Sequence, residues 1–593
     1  MAEDDAAHEV DDARRGRRRR RWPWITLGVV LILAGAFLAF LTYDAYRLST
    51  AAAAVDEHAE AAQQALADAD PEALHSEVAQ LEEAARTFDS ATTGPHWWLA
   101  TRLPWLKNQA LPLVAAGEAV GAVADDALAP LAGQDDLAAF EVPSFEGGRV
   151  DPYVLEEYRE PLATASETLH AEAETLASVD TSRSWEPIEK LVDGLGRQLG
   201  TLGELVDGAH ATAELLPSML GGQGERHYLV VVQNNAEPRT TGGLPGAFFE
   251  LTVEDGTMEL GRFAAARDLI DDAGRVPITD DEARIFSELM STYPHDANFT
   301  PEFPRTAEII TDFWELKFGE RPDAVVSIDP VALGWMLEGS DPLTAGGIEI
   351  TGENLAQVML NQAYFLYEDP YEQDEFFART AKQLFGRIVS GQAATLAGVE
   401  RAITAHRFLI WSADEDEEAL LASTDVGGAF LEEPDTLGVF LNDGSGSKIG
   451  YYIGSDVTVT EFQCTDGSIA AASVEVELRH GYDGDVKELP DYIIGIPRYV
   501  PRGEFHANVL VYPPDEMELV GATRDGEDTE VVQDVHEGRA MSQKRIELKP
   551  GEQVNLVYEL KATDGAIDMP GLRMTPGPRP NQPQLLFAAA DAC

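Results

Sequence analysis

The sequence predicts a multidomain chain: one transmembrane helix, an α-helical stalk, a central α/β domain and a β-sandwich-like C-terminal domain. Three observations predict it. Trp24–Tyr43 is an uninterrupted run of twenty residues without a charge. Residues 45 to 217 hold alanine-rich segments whose apolar positions recur every three or four residues. From Tyr228 onward, β-branched runs alternate first with helical patterns and then with one another.

Residues 1–23 read as a cytoplasmic tail, acidic at first and then basic through Arg14, Arg15 and Arg17 to Arg21. As a helix, the run 24–43 crosses a hydrocarbon core of about 30 Å. Trp22, Trp24 and Tyr43 stand where interfacial aromatics belong, and the arginines place the N-terminus in the cytoplasm and everything after residue 45 outside. A cleaved signal peptide is the rival reading, since Ala51 to Ala54 offers small residues. The apolar run exceeds a signal core of about 7–15 residues, so an uncleaved plasma-membrane anchor is expected.

Residues 44–220 are expected to form the stalk or bundle. Leu66, Leu74, Val78, Leu81 and Ala85 step at helical spacing, and Gly94-Pro95 breaks the pattern. Trp97, Trp98 and Trp105 follow. Such a cluster either lies on a lipid surface or plugs a core between helices, and the core plug is the commoner use. Further helices are expected at about 105–131, 152–178 and 184–217.

The central domain spans 221–400. Tyr228–Val232, Phe248–Val253 and Met258–Phe263 read as strands, with a turn at Glu254-Asp255-Gly256. The first ends in the polar cluster Gln233, Asn234, Asn235, Glu237 and Arg239, and the third leads to Arg267-Asp268. Strand ends carrying polar groups are where α/β sheets build sites. Ala324–Ile328 is a further strand, followed by Asp329-Pro330, a helix N-cap and its N1 proline or a site residue. Residues 401–454 read as a connecting region with a strand at Phe408–Trp411 and a short helix within 415–440, in which NDGSGSK (442–448) is a tight turn; no helix follows it, so it is not a phosphate loop. Residues 455–593 alternate as strands separated by turn signals, a β-sandwich pattern.

A net charge of −61 repels nucleic acid, and no nucleic-acid partner is expected. The acidic residues are spread along the whole chain, which fits a solubility adaptation better than one cation-binding face. The sequence has no HExxH, GxSxG, GxGxxG or CxxC motif, and its twelve histidines are scattered. That leaves a zinc hydrolase or serine esterase without support. Two cysteines, Cys464 and Cys593, fit an exported protein with one disulfide, although spacing does not distinguish this from two thiols. The expectation here is a Cys464–Cys593 bond.

The segment around NNAEPRTTGG (234–243) resembles DUF4012, and more distantly the LytR-CpsA-Psr (LCP) domain, over about residues 226–390. Arg239 corresponds to the first arginine of the LCP pattern, Arg267-Asp268 to its Arg-Asp pair, DAVVSIDPVALGWMLEG (323–339) to its later strand and helix, and Arg379 to its late arginine. The metal-binding Asp of the second strand has no counterpart, since Pro245-Gly246-Ala247 stands there. LCP proteins transfer glycopolymers from a polyprenyl-phosphate carrier to peptidoglycan. The resemblance therefore implies an LCP-like central domain in a cell-envelope protein that binds, and in a further step transfers, a polyprenyl-phosphate-linked glycopolymer or cell-wall polymer. Arg239, Arg267, Arg379 and Asn235 are expected to bind that substrate at one pocket. Glu237 and Asp268 are the carboxylates expected to hold Mg²⁺. The competing expectation is a non-catalytic envelope scaffold with a degenerate domain, in which each arginine only neutralises a local acid. An apolar groove beside Arg239 favours the first reading and a solidly packed interior the second.

Overall fold

The computed structural model describes residues 22–67, 71–132, 148–392, 395–464, 468–495, 500–563, 567, 571–580 and 583–590. The acidic tail and the arginine block lie outside them. The described chain forms two compact units, one within 1–141 and 155–214, the other within 142–154 and 215–593.

The first unit is helical: α1 (Trp22–Ala67), α2 (Pro71–Thr92), α3 (Pro95–Ala100), α4 (Lys107–Ala122), α5 (Arg159–Ala177) and α6 (Glu186–Met219). Within α1, Leu31–Ala59 is long and apolar enough to cross a membrane. Leu31, Ile32, Leu33, Leu38, Phe40 and Tyr43 are all exposed. A row of exposed large apolar side chains needs lipid or a partner to cover it. Alanine suits the bundle because small side chains let helices approach: a Cβ at Gly117 would stand 1.8 Å from Thr92 Oγ1. Phe88, Ala91, Ala116 and Ala119 are fully buried at the resulting contacts. Gly94 (φ +126°) ends the turn after α2, and Pro95 opens α3. Of the three tryptophans expected as a core plug, only Trp97 is buried, while Trp98 and Trp105 are 60% and 67% exposed.

The second unit contains a five-stranded sheet in the order β3-β2-β1-β4-β7, formed by β1 (Arg226–Arg239), β2 (Gly242–Glu254), β3 (Thr257–Ala265), β4 (Ala324–Ile328) and, later in the chain, β7 (Phe408–Ser412). β1 runs parallel to β4 and antiparallel to β2, so the first strand is central. Period-two alternation splits β1 between two layers. Leu229 and Val231 join the core beneath α7 (Phe303–Phe318), with Phe313 and Trp314. Val230 and Val232 face α8 (Pro330–Met336) on the other side. That second face is also covered by the helical run 355–366 and by α9 (Pro370–Val389), after a small hairpin of β5 (Leu343–Ala345) and β6 (Ile348–Ile350). α10 (Leu396–Thr404) precedes β7 and α11 (Glu415–Ala422) follows it.

The remaining strands form two sheets. One has the order β14-β15-β11-β8-β17, the other β13-β12-β16-β10-β9-β18, with β8 (Thr436–Asp443), β9 (Ile453–Gln463), β10 (Ile469–His480), β11 (Phe505–Tyr512), β12 (Met517–Arg524), β13 (Glu527–Asp528), β14 (Val532–His536), β15 (Arg539–Leu548), β16 (Gln553–Ala562), β17 (Gly571–Met574) and β18 (Gln584–Ala589). Both sheets contribute to one core, with Val439, Val509 and Ile546 from the first and Val459, Val474 and Leu556 from the second. Tyr364 of the helical run joins this core, so the α/β and β-rich regions pack as one unit. The 401–454 stretch read as a connection supplies β7 to the first sheet and β8 to the second. Cys464 is disulfide-bonded. Its expected partner, Cys593, lies outside the described residues, although β18 runs beside β9 and Ala590 donates to the Gln463 carbonyl at 2.8 Å.

Two carboxyls beside α7 and α11 make stability pH-dependent. Glu418 accepts the Ser412 N–H at 2.8 Å, and its Oε1 is buried without a partner. Burial pushes its carboxyl up to about 8, with Glu302 adding repulsion. Burial likewise pushes Glu302 up to about 7. Folded pKa values above the unfolded value mean stability that is present below about pH 4 and lost as pH rises through 7 and 8. Wild-type melting temperature is therefore expected to fall between pH 6 and pH 9, and Glu418→Gln to flatten that fall. Differential scanning calorimetry checks this, and an equally steep fall in the variant contradicts it.

Candidate functional site

The polar cluster after Val232 does not end the first strand. β1 continues to Arg239, with register shifts at Val232/Gln233 and Asn234/Pro238, and turns directly into β2. Glycine is required at that turn. Gly242 has φ +137°, and a Cβ on Gly243 would lie 2.2 Å from the Asn234 carbonyl carbon. The resulting hairpin tip is buried: Gln233, Asn235, Glu237, Arg239 and Thr240 are all below 9% exposed. Buried polar groups need partners, and distant elements supply most of them here, leaving Asn235 Oδ1 and Arg239 Nε without one.

Asn235 donates through Nδ2 to Asp329 Oδ2 (2.9 Å) and to the Pro576 carbonyl (3.2 Å). Asp329 caps α8 by accepting the Val331 and Ala332 N–H groups at 2.8 Å each. Arg407 completes the group, donating to Asp329 at 2.5 Å with both side chains almost fully buried. Arg239 pairs with Asp296 at 3.3 Å, lies 4.0 Å from Asp443 and stacks over Phe299 at 4.7 Å. Burial pushes Asp443 up to about 6 against the pull of Arg239. Asn235 and Arg239 are thus each tied to carboxylates inside the fold.

Beside this tip lies a pocket of about 310 Å³ between the second face of the sheet and the helices α8, 355–366 and α9. Val232, Ala247, Phe249 and Phe263 form its floor; Leu333, Met359, Leu360, Phe377, Ala381 and Leu384 form its apolar walls. At the buried end, Lys448 forms an ion pair with Glu237. Its ammonium lies 5.5 Å and 5.3 Å from the ring centres of Tyr364 and Tyr492. Burial by itself lowers a lysine pKa; here Glu237 and the two tyrosines outweigh it and hold Lys448 above its ordinary value. His295 also lines this end, and burial pushes it below its ordinary value. Tyr364 accepts from Asn234 Nδ2 at 2.7 Å.

At the exposed edge, Arg267 pairs with Asp374 of α9 and stacks over Tyr371 at 4.5 Å. Tyr371 is 72% exposed, and Arg267 Nε is buried without an acceptor. Arg267 is the one predicted substrate arginine among the lining residues. Arg379 shares α9 with Phe377 and Ala381, but is half exposed and paired with Glu375 at 3.4 Å, away from the pocket lining. The expected convergence of Arg239 and Arg267 on one pocket is not found, because Asp296 and Asp443 hold Arg239 in the hairpin tip.

The two expected metal ligands are also apart in role. Glu237 lines the pocket against Lys448, a cation that competes with any metal for the same carboxylate. The Asp268 carboxylate caps a 3₁₀ turn by accepting the Ala265 N–H at 3.0 Å. Among the described residues no three His, Cys, Asp or Glu side chains gather as a metal site. Mg²⁺ takes several oxygen ligands, and this pair as it stands does not fit it.

Lys448, Asp374, His295 and Tyr492 escaped the sequence reading. Lys448 ends the NDGSGSK turn and starts a 3₁₀ turn, Lys448–Tyr452, which the absence of a following α-helix made easy to pass over. A lysine at a tight Gly/Ser turn in so acidic a chain was the available signal.

Residues 223–364 match the family model described as Protein of unknown function (DUF4012). No curated protein and no solved structure matches the chain. The matched range holds the pocket floor and one wall, while α9, Lys448 and Tyr492 lie beyond it.

Proposed function

We propose, with the DUF4012 segment as premise, that this chain is a cell-envelope protein, anchored in the plasma membrane by α1 with its N-terminus in the cytoplasm, that binds a polyprenyl-phosphate-linked glycopolymer in this pocket. One observation carries the reading: an apolar cavity has an arginine with an unsatisfied N–H at its exposed edge. An amphiphile with an apolar tail and a phosphate head matches that polarity. A phosphate oxygen would satisfy Arg267 Nε and compete with Asp374 for the guanidinium. The volume stands at the lower end of small-molecule pockets, about 300–1,000 Å³, so it takes a segment of a polyprenyl tail. The resemblance to the LCP domain read from the sequence motifs is what suggests the polyprenyl-phosphate class.

The reading is binding, with no residue assigned to transfer. Glu237 is committed to Lys448 and Asp268 to its cap, which favours a non-catalytic binding protein over a metal-dependent transferase. The test is lipid extraction from the full chain purified in mild detergent, followed by mass spectrometry, together with titration of a fluorescent polyprenyl phosphate. Co-purified polyprenyl phosphate and saturable binding are expected. Binding no tighter than that of the uncharged polyprenol removes the phosphate from the reading, and no binding of either removes the reading.

A further inference from the structure

The helical unit carries an aromatic and basic cluster at one end, where the uncharged run of α1 stops. Asp44 is the first charged residue after that run and is only 5% exposed. It accepts from Trp97 Nε1 at 3.3 Å and bonds His96 Nε2 at 2.5 Å, while Phe40 stacks on the His96 ring at 5.6 Å. These contacts fix α3 beside residues 40–44. α3 carries Trp98 and Leu99, and the chain leaving it Trp105, exposed at 60%, 40% and 67%. In the first turn of α4, the Gln109 side chain holds the α5–α6 connection, accepting the Trp185 N–H at 2.8 Å and donating to the Arg183 carbonyl at 3.1 Å. Trp185 is 66% exposed. Two separate connections thus place exposed tryptophans at the same end of the bundle. Arg102 lies 4.1 Å over the Trp98 ring, and Arg102 and Lys107 are exposed. Basic residues here stand out in a chain of net charge −61.

We infer that Trp98, Leu99, Trp105 and Trp185, with Arg102 and Lys107, form a collar seated in the headgroup layer of the membrane that α1 crosses. The position supports this occupant. Twenty helical residues from Trp24 to Tyr43 rise about 30 Å, the thickness of the hydrocarbon core, so α3 is held at the depth where that core ends. The chemistry supports it too. Tryptophan favours the interface, and arginine and lysine reach anionic phosphates with their stems in apolar surroundings. The collar holds the first helical unit against the bilayer at several points around the single span.

The inference rests on the anchor reading, and one experiment separates the two. The full chain is reconstituted into phosphatidylcholine–phosphatidylglycerol vesicles with acyl chains brominated near the headgroup, and tryptophan emission is compared with that in unbrominated vesicles. The triple variant Trp98→Phe, Trp105→Phe, Trp185→Phe is expected to lose about half of the bromine-dependent quenching, leaving that of Trp22, Trp24 and the buried Trp97. A variant that floats with vesicles and is quenched as strongly as wild type overturns the collar and leaves this face to a partner other than lipid. A chain that does not float, with no quenching, overturns the anchor itself. Circular dichroism of the variant confirms that the helices remain.

Discussion

Asp329→Ala is expected to destabilise the larger unit by about 3–5 kcal/mol through the stranded charge of Arg407, with about 1 kcal/mol more for the lost helix cap. The reason is how much one carboxylate does. It caps α8 through two backbone N–H groups, accepts from Asn235 in β1, and neutralises Arg407 at the start of β7. Arg407 in turn donates to the Gly577 carbonyl at 2.8 Å. Removing the carboxylate leaves a guanidinium with about 2% of its side chain exposed and no other ion-pair partner among the described residues. Domains are stable by about 5–15 kcal/mol, so a loss of this size is close to unfolding. Urea denaturation followed through Trp335 and Trp411 measures it. Asp329→Asn keeps a capping oxygen and removes the charge. It should retain most of the loss; a variant as stable as wild type would show that the ion pair contributes little.

Arg267→Ala is expected to weaken polyprenyl-phosphate binding at least tenfold, about 1.4 kcal/mol, while leaving stability within about 1 kcal/mol. The two effects separate because the Arg267–Asp374 pair is partly exposed, at 33% and 22% of the side chains, and such pairs contribute little to folding. Arg267→Lys should recover only part of the binding, since lysine lacks the planar fork and the Nε donor. Ala381→Trp tests the tail. An indole at that wall occupies much of a 310 Å³ cavity, so tail-bearing ligand should be excluded while the melting temperature changes little. If Arg267→Ala instead lowers stability by several kcal/mol and the wild type binds no phosphate lipid, Arg267 is a structural residue. If Ala381→Trp binds polyprenyl phosphate normally, the tail lies elsewhere.

Much of the architecture was legible because it depends on local chemistry. The uncharged run of α1, the three- and four-residue steps of the bundle and the period-two strands each follow from which side chains lie on one face. Asp329-Pro330 announced a helix start, and the structure places the cap there. The β1–β2–β3 order followed from two short connections between three strands. The resemblance carried by NNAEPRTTGG pointed to the segment that matches DUF4012.

The site was legible only in part. Of the expected substrate arginines, Arg267 lies at the pocket edge, where a strand end delivers it. Arg239, Asn235 and Glu237 looked equally available, since a sequence shows which groups are polar but not which distant group neutralises them. Glu237 meets Lys448 across 211 residues, Arg239 meets Asp296 across 57, and the carboxylate that holds Asn235 is also bound by Arg407, 78 residues further on. Local pattern fixed the strands and helices because their hydrogen bonds and apolar faces repeat over a few residues. Only the tertiary structure decided which charge meets which, because burial makes each one seek a counter-charge wherever the fold brings one within reach.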